Sequence, residues 1–492
     1  MNRRFILNIL GKIMLIEAGL MLLPMLVAAI YREKHVYFAF GIPIAMLAVL
    51  GALFVSVKVY SRTIFARDGY VMVAAAWIVL SFFGALPFTF SNQIPHLADS
   101  FFETVSGFTT TGASILTNVE ALSKSMLFWR SFTHWIGGMG VLVFMLAIIP
   151  LTNGSGSLQL VRAESTGPDV GKLVPKTTQS ARILYMIYGA LTVIEFVLLI
   201  AGKMPVFDAV CVTFGTAGTG GFGVLNSSVA SYGVFCQIVI TVFMLLFGVN
   251  FSIFYLILCG RVKDALKSEE LRVYLAVYFA AALIITINIR NMYESFSQSA
   301  LAGFFQTSSI MTTTGFSTVD FDAWPELSRY VLLLIMCIGS CAGSTGGGIK
   351  ISRLCILVKS AQKEIRCLLH PRSVNVVRFE KRRISDKIVN TTHVYLILYV
   401  LIIGVSVFIV SFDNFDFTTT FSGVLATFNN IGPGLGKVGP TANYSGFSNL
   451  SKLVFSLDML LGRLEIFPII MLFNPALLKN YRIRKTKISV TD

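Results

Sequence analysis

The chain has 492 residues, of which 55% are hydrophobic and only 13% are charged, and its formal net charge is +15. A soluble protein of this size carries about 25% charged residues, whereas apolar runs of about 20 residues, each able to cross a bilayer, recur along this sequence. The composition therefore excludes a soluble enzyme or binding module and predicts an all-α, polytopic membrane protein.

The basic residues lie in short segments between the apolar runs. They cluster at 3–4, 58–67, 162–182, 261–272, 350–387 and 479–487, and the segments between these clusters are poor in bases. This alternation is the positive-inside pattern of a multi-pass membrane protein. It predicts that both termini are cytoplasmic and that the basic loops face anionic membrane lipid, and it argues against a nucleic-acid partner.

Hydropathy predicts ten spans. In chain order they cover 5–30, 36–60, 70–90, 126–150, 182–202, 232–260, 271–290, 327–360, 391–412 and 450–477. The first resembles a signal peptide in its charged start, but its apolar run is too long and no cleavage site closes it, so we expect a retained span. The seven cysteines lie mostly within spans, and we expect no disulfide.

After two N-terminal spans (1–68), one pattern occurs four times. A span is followed by an apolar stretch too short to cross, a string rich in Thr, Gly and Asn, and another span. The strings are "FFETVSGFTTTGAS" (101–114), "VCVTFGTAGTGGFG" (210–223), "FFQTSSIMTTTGFS" (304–317) and "FSGVLATFNNIGPG" (421–434). Aligned without gaps, they place Gly112, Gly221, Gly315 and Gly432 in one column. This predicts four repeats, at 69–160, 161–265, 266–388 and 389–492.

The short apolar stretches favour half-helices that enter the membrane without crossing it. Non-helical backbone is tolerated at that depth only inside protein or beside a water-filled cavity. Rings of backbone carbonyls can replace the water shell of a cation, and glycine permits the dihedral angles that turn carbonyls inward. For any single string, close helix packing of the GxxxG type is the competing interpretation. Four glycines in one column favour a cation filter.

With "FTTTGAS", "GTGGFG", "TTTGFS" and "NNIGPG" in four such repeats, the whole chain resembles the Trk/Ktr/HKT superfamily of potassium transporters. The two additional N-terminal spans resemble its TrkH branch. The resemblance implies four span–pore-helix–span repeats in a pseudo-fourfold arrangement around one pore, in a bacterial inner membrane. It also implies a homodimer and a cytoplasmic, nucleotide-binding regulatory ring of the TrkA type as partners.

The resemblance further implies that K⁺ is the transported ion, bound at the filter, with no organic cofactor. The filter strands would be 109–112, 218–221, 312–315 and 429–432. Their ion-binding residues would be Thr110, Thr111, Gly112, Thr219, Gly220, Gly221, Thr313, Thr314, Gly315, Asn430, Ile431 and Gly432. The fourth strand departs from the threonine pattern, which makes the side chains of the ring asymmetric.

A second feature is the string "IGSCAGSTGGGIKISR" (338–353) inside the eighth predicted span. So many glycines do not sustain a helix. Either the segment is a flexible kink that packs against its neighbours, or it is an intramembrane loop that gates the pore, as the resemblance implies. The candidate gate residues are Gly339, Gly343, Ser344, Thr345, Gly346, Gly347, Gly348 and Lys350, together with Arg463.

Arg463 lies in "DMLLGRLEIFP", within the last predicted span. A charge inside a span faces a cavity or a partner. Asp458 and Glu465 are close in sequence, so a structural ion pair is one interpretation. The other is that Arg463 repels cations or holds a closed gate, with Glu465 orienting it.

Two other classes of function compete with a channel-like pore. A secondary transporter coupled to protons or sodium would require a relay of buried acids or histidines, but Glu17, His134, Glu195 and Asp458 are far apart in sequence. A lone membrane histidine such as His134 is more often structural. An enzyme is not indicated, because neither H-E-x-x-H nor G-x-S-x-G occurs. Two further acids, Glu103 and Asp208, flank the strings and would concentrate cations at the mouth.

Overall fold

The computed structural model describes residues 2–59, 66–140, 177–373 and 375–473. Two N-terminal helical segments come first, Arg3–Leu20 continued by Leu22–Ile30, and Tyr37–Val55. They cross closely, because a Cβ built on Gly11 would lie 2.8 Å from the carbonyl oxygen of Gly51. Small residues permit this approach in a membrane, where dispersion contacts between backbones hold helices together.

In the described residues, four groups of helices follow, and we name the helices in each group after the predicted repeat: a long outer helix, a short pore helix, and an inner helix that is broken in three of the groups. The outer helices are Ala66–Phe90, Thr177–Ala201, Glu269–Asn288 and Asp386–Val410. The pore helices, numbered 1 to 4, are Leu97–Phe108, Val206–Gly218, Phe296–Met311 and Phe417–Phe428. The inner helices are Lys124–Gly138, Val234–Phe247 with Phe251–Leu258, Glu326–Ile338 with Ile351–Leu369, and Asn449–Arg463 with Phe467–Leu472.

The remaining elements of the described residues are short. They are a five-residue helix, Val262–Leu266, several 3₁₀ turns and one small hairpin. The hairpin pairs Arg378–Phe379 with Arg382–Arg383, and it is a minor departure from the predicted all-α fold. Its two turn residues, Glu380 and Lys381, have φ of 49° and 62°. Positive φ at both central residues is the geometry of a two-residue hairpin turn that follows the strand twist.

Polarity is distributed as expected for a protein that lies in lipid. Large apolar side chains on the outer helices are exposed, for example Val193 at 60% and Ile397 at 60%. Toward their carboxyl ends the pore helices bury hydroxyl groups instead, and Ser308, Ser309 and Thr427 are fully buried. The apolar surface therefore faces outward while the polar groups gather around the four strings.

Six helical segments in the described part of the chain are long and apolar enough to cross a membrane. They are Arg3–Ile30, Lys34–Val55, Asp68–Phe90, Ala181–Ala201, Glu269–Asn288 and Asp386–Asp413. A seventh crossing would be the pair Val234–Phe247 and Phe251–Leu258, which is bent by 93°. Of the ten candidate spans, the described helices therefore account for six as unbroken crossings and for a seventh as a bent pair.

The other three candidate spans belong to inner helices, and in each of them a described helix ends within the span. In the predicted span 327–360, helix Glu326–Ile338 ends at Gly339, whose φ is +72°. In 450–477, helix Asn449–Arg463 ends before Glu465 and Ile466, whose φ values are 56° and 69°. In 126–150, the helix ends at Gly138. The rest of that span and the basic cluster at 479–487 lie outside the described residues.

Candidate cation-conducting site

The four strings share one backbone conformation. Within each string, the second residue of the predicted filter strand lies in the left-handed region, with φ of 57° at Thr110, 55° at Thr219, 61° at Thr313 and 55° at Asn430. The fourth residue is the aligned glycine, with φ of 79° at Gly112, 72° at Gly221, 87° at Gly315 and 91° at Gly432. A β-branched threonine rarely adopts positive φ, so three strings hold a strained residue at an equivalent position, which is typical of functional sites.

The strained residue ends each pore helix in a Schellman motif. The following amide bonds back to the last turn: Thr111 N to Ser106 O at 2.9 Å, Gly220 N to Gly215 O at 2.8 Å, Thr314 N to Ser309 O at 2.8 Å, and Ile431 N to Ala426 O at 2.9 Å. This motif normally places glycine at the left-handed position. Here it directs the amides toward the helix and leaves the carbonyls of the strings to other partners.

Most of those carbonyls have no hydrogen-bond donor in the described part of the chain. The exception in the glycine column is Gly432, whose carbonyl accepts a 2.8 Å hydrogen bond from the Tyr444 hydroxyl. Burial raises the pKa of Tyr444, so its hydroxyl stays protonated and donates. The carbonyls without a donor are those of Thr110, Thr111, Gly112, Thr219, Gly220, Gly221, Thr313, Thr314, Gly315, Asn430 and Ile431. They are available to a cation.

The aligned glycines contact neighbouring strings in cyclic order. A Cβ on Gly112 would collide with the carbonyl oxygen of Gly220. A Cβ on Gly221 would meet Thr314, and one on Gly315 would meet Ile431, again at the carbonyl oxygen. A Cβ on Gly432 would lie 2.7 Å from the carbonyl oxygen of Thr111, which returns to the first string. The glycine column is therefore required both by φ and by the space between adjacent strings.

Side chains behind the strings are paired. The hydroxyl groups of Thr109 and Thr111 are 2.8 Å apart, and those of Thr312 and Thr314 are also 2.8 Å apart. In the fourth string, the Asn430 amide nitrogen donates to Thr111 Oγ1 at 3.0 Å and thereby joins the fourth string to the first. The fourth strand therefore differs from the first and third in its side-chain bonding, as its departure from the threonine pattern predicts.

A buried ion pair supports the first two strings. Arg130 Nε lies 2.6 Å from Glu103 Oε1, and the two side chains are 3% and 0% exposed. Arg130 also donates to the carbonyl of Gly223 at 3.0 Å, and Glu103 accepts from the Ile115 amide at 3.0 Å. The prediction that Glu103 acts as an open charge at the mouth is therefore wrong, because it is buried and neutralised. Asp208 is half-buried and accepts from the Tyr232 hydroxyl at 3.0 Å.

A cavity of about 170 Å³ lies against the glycine column. All four aligned glycines line it, together with polar groups that include Asn226, Ser317, Asn443 and Tyr444. His134 does not line this cavity, and its Nδ1 lies 2.7 Å from the carbonyl oxygen of Gly107, in keeping with the structural role expected of it.

The glycine-rich segment forms a compact loop, residues 339–350, which we call the gate loop. It is bonded to the third string, because the Gly347 amide donates to Thr313 Oγ1 at 2.6 Å. It is also bonded to the bend in the second inner helix, because Thr345 Oγ1 donates to the carbonyl of Phe247 at 3.2 Å. Gly346 and Gly347 have no room for a side chain, since a Cβ would meet the carbonyls of Thr312 and Asn429 respectively.

Two basic side chains donate hydrogen bonds to carbonyl groups of the gate loop. Lys350 lies in the left-handed region at φ 78°, and its ammonium donates to the carbonyl of Gly346 within the loop. Arg463 Nη1 donates to the carbonyl of Thr345 at 2.6 Å, and its Nη2 donates to the carbonyls of Gly137 and, at 2.7 Å, Gly138. The structure thus brings the predicted gate residues and Arg463 together.

The acids near Arg463 in sequence serve other residues. Glu465 forms an ion pair with Arg353, on the helix after the gate loop. Asp458 accepts a 2.7 Å hydrogen bond from Ser406. The expectation was that Glu465 orients Arg463, but Glu465 instead bonds to Arg353, which lies 112 residues earlier in the chain. Sequence reasoning also missed Arg130, whose signal was a lone arginine inside an apolar segment.

Comparison with known proteins gives a consistent result. The model of a family described as "TrkH: Cation transport protein" matches residues 37–479. The Trk system potassium uptake protein TrkH of Salmonella typhimurium is 35% identical over 482 residues, covering 96% of this chain and 99% of the relative. The Trk system potassium uptake protein TrkG of Escherichia coli is 31% identical over 477 residues, covering 96% of this chain and 98% of the relative. The crystal structure of the potassium transporter TrkH from Vibrio parahaemolyticus superposes with a TM-score of 0.88 at 30% identity, covering 97% of this chain and all of that one.

Proposed function

This chain belongs to the TrkH family of cation transport proteins, and we propose that it takes up potassium across a bacterial inner membrane through the carbonyls of its four strings. The observation that carries the proposal is the shared backbone geometry, with a left-handed glycine in every string and free carbonyls before it. Carbonyl rings of this kind replace the hydration shell of a monovalent cation.

The proposed arrangement is pseudo-fourfold. The contacts between aligned glycines run from the first string to the second, third and fourth and back to the first, which supports one central pore. The carboxyl ends of the four pore helices lie at the strings, so their dipoles add negative potential where the cation would sit. In this arrangement the repeats are 69–160, 161–265, 266–388 and 389–492, after two N-terminal spans in 1–68.

The gate loop would control flow beneath this filter. Its Gly347 amide contacts the third string, while Arg463 holds Thr345 and joins the loop to the first inner helix. A cation leaving the filter would therefore meet both a narrow backbone segment and a fixed positive charge. Opening requires that these contacts separate.

The proposed partners are a second copy of the chain and a cytoplasmic nucleotide-binding ring of the TrkA type. The relatives are named as uptake proteins of a "Trk system", which supports partner subunits. An exposed basic surface formed by Lys381, Arg382 and Arg383 on the small hairpin suits an acidic partner. Both termini would lie on the same cytoplasmic side, as the basic clusters predict.

Cation flux through the purified chain in liposomes tests the function. We expect potassium and rubidium to pass in preference to sodium, with one charge moved per ion. A fixed ratio of protons or sodium ions per potassium ion would instead identify the coupled transporter weighed above. Absence of selective flux at every membrane potential would contradict the proposal.

A further inference from the structure

The gate loop contacts a buried acid, Glu270, that belongs to none of the four strings and is not among the predicted gate residues. Glu270 lies in the first turn of the third outer helix and is 5% exposed. Its Oε1 accepts a 2.7 Å hydrogen bond from the amide of Ala342, in the middle of the gate loop. A carboxylate that accepts from a buried backbone amide forms a strong, charge-assisted bond. This bond attaches the loop to a helix that the loop does not belong to.

The same helix end is attached to the cytoplasmic hairpin. Glu380, in the hairpin turn, accepts from the Ser268 hydroxyl at 2.7 Å and from the Glu270 amide at 3.1 Å. Ser268 is the N-cap of the helix, and its own side chain accepts from the Leu271 amide. Glu380 thus caps the helix from outside it. It bonds to the backbone amide of Glu270, the residue whose side chain accepts from the gate loop. The positive φ of Glu380 is the conformation that the tight turn requires.

A third element closes the junction. Lys359, on the helix that follows the gate loop, forms an ion pair with Glu269. Its ammonium also donates to the carbonyl of Arg378 in the hairpin at 2.9 Å. The hairpin, the start of the third outer helix and the helix after the loop therefore contact one another on the side where the basic segments cluster.

We propose that Glu270 is a positioning residue for the gate loop, and that Glu380 couples the position of the cytoplasmic hairpin to it. A partner that displaces the hairpin would remove the Glu380 cap and shift the first turn of the helix, which weakens the Glu270–Ala342 bond and releases the loop. The proposal rests on the gate assigned to this loop under the proposed function.

Amide hydrogen exchange of the full chain in lipid nanodiscs tests the link independently of transport. In Glu270→Ala, exchange of peptides covering 340–348 should accelerate by about ten- to a hundredfold, the effect of losing one charge-assisted hydrogen bond on a local opening. Glu380→Ala should act in the same direction to a smaller extent. Glu270→Gln keeps an acceptor oxygen but loses the charge, so its exchange should lie between that of wild type and that of Glu270→Ala. Glu326→Ala, an exposed acid in the first turn of the inner helix before the loop, is the matched control and should change nothing.

Flux measured on the same variants separates this proposal from the gate itself. Faster exchange together with higher resting flux in Glu270→Ala supports both. If exchange is faster in Glu270→Ala but flux is unchanged, and if shortening the loop also leaves flux unchanged, then Glu270 positions the loop but the loop is not a gate. If Glu270→Ala folds and its exchange is unchanged, Glu270 does not position the loop, and this conclusion holds whether or not the loop controls flux. If Glu270→Ala does not fold, unchanged exchange in Glu380→Ala overturns the coupling.

Discussion

Arg463 Nη1 lies 2.6 Å from the carbonyl oxygen of Thr345, a residue 118 positions earlier in the chain. Through this bond the last long helix is attached to the gate loop, and through Gly138 the same guanidinium is attached to the first inner helix. The bond makes Arg463 both a structural link and a fixed positive charge beside the loop.

Arg463→Ala should raise resting cation flux. A unit charge about 6 Å from a permeating ion opposes it by about 3 kcal/mol at an effective dielectric constant of about 20, so we expect an increase of at least about tenfold. Flux of rubidium into liposomes without a regulatory subunit measures it. Arg463→Lys, which keeps the charge, is the matched control. Wild-type resting flux in the alanine variant would exclude a role for this charge in the closed state.

Deleting Gly346–Gly348 should act in the same direction, since it shortens the gate loop and removes the carbonyl that Lys350 binds. In the double variant with Arg463→Ala, the rise in resting flux should be smaller than the sum of the two single effects on the activation free energy, because both changes remove the same obstruction. The deletion also removes the Gly347 amide that bonds Thr313, so selectivity should be measured alongside flux. A deletion variant that folds, reaches the membrane and conducts at the wild-type resting rate would refute the gate.

Gly112→Ser should weaken discrimination of potassium over sodium. A side chain at this position would collide with the carbonyl oxygen of Gly220, and φ of 79° adds about 1–2 kcal/mol of backbone strain. Relative potassium and sodium flux in liposomes measures the change. Gly404→Ser in the fourth outer helix is the matched control, because a Cβ there meets nothing within 4 Å. If Gly404→Ser alters selectivity and Gly112→Ser does not, the filter assignment fails.

Arg130→Ala should destabilise the protein and broaden its ion selectivity. Removing one partner of a buried ion pair leaves the other charge uncompensated, which costs about 3–5 kcal/mol. The change also removes the donor to the carbonyl of Gly223, the last residue of the second string. Thermal unfolding in detergent should show a clear loss of stability. Arg261→Ala disrupts an exposed ion pair with Asp264 and should change stability by less than about 1 kcal/mol. Equal effects in the two variants would argue against a supporting role for Arg130.

Reversing the charges of Lys381, Arg382 and Arg383 should weaken co-purification of a TrkA-type subunit. All three side chains are exposed on the small hairpin, which makes them available to an acidic surface. Arg290→Glu, an exposed change at the other end of the third outer helix, is the control. Binding that survives the triple reversal unchanged would leave membrane topology as the explanation of this basic segment.

The sequence alone determined the class of protein, the four co-registered strings and the family, and the family match confirms the last of these. It could do so because each of these properties is local. A span requires a run of apolar residues, and a left-handed turn between crowded carbonyls requires glycine at a particular place, as at Gly112 and Gly315. The break at 339–350 was predictable for the same reason.

Only the tertiary structure decided which residues act on one another. Glu465 pairs with Arg353 and not with its near neighbour Arg463, and Glu103 is neutralised by Arg130. The strain at Thr110 was also invisible in sequence, because threonine disfavours positive φ and adopts it here where the pore helix ends. These outcomes depend on contacts between segments far apart in the chain, where desolvated charges and carbonyls must find partners, and local sequence does not report which partner is within reach.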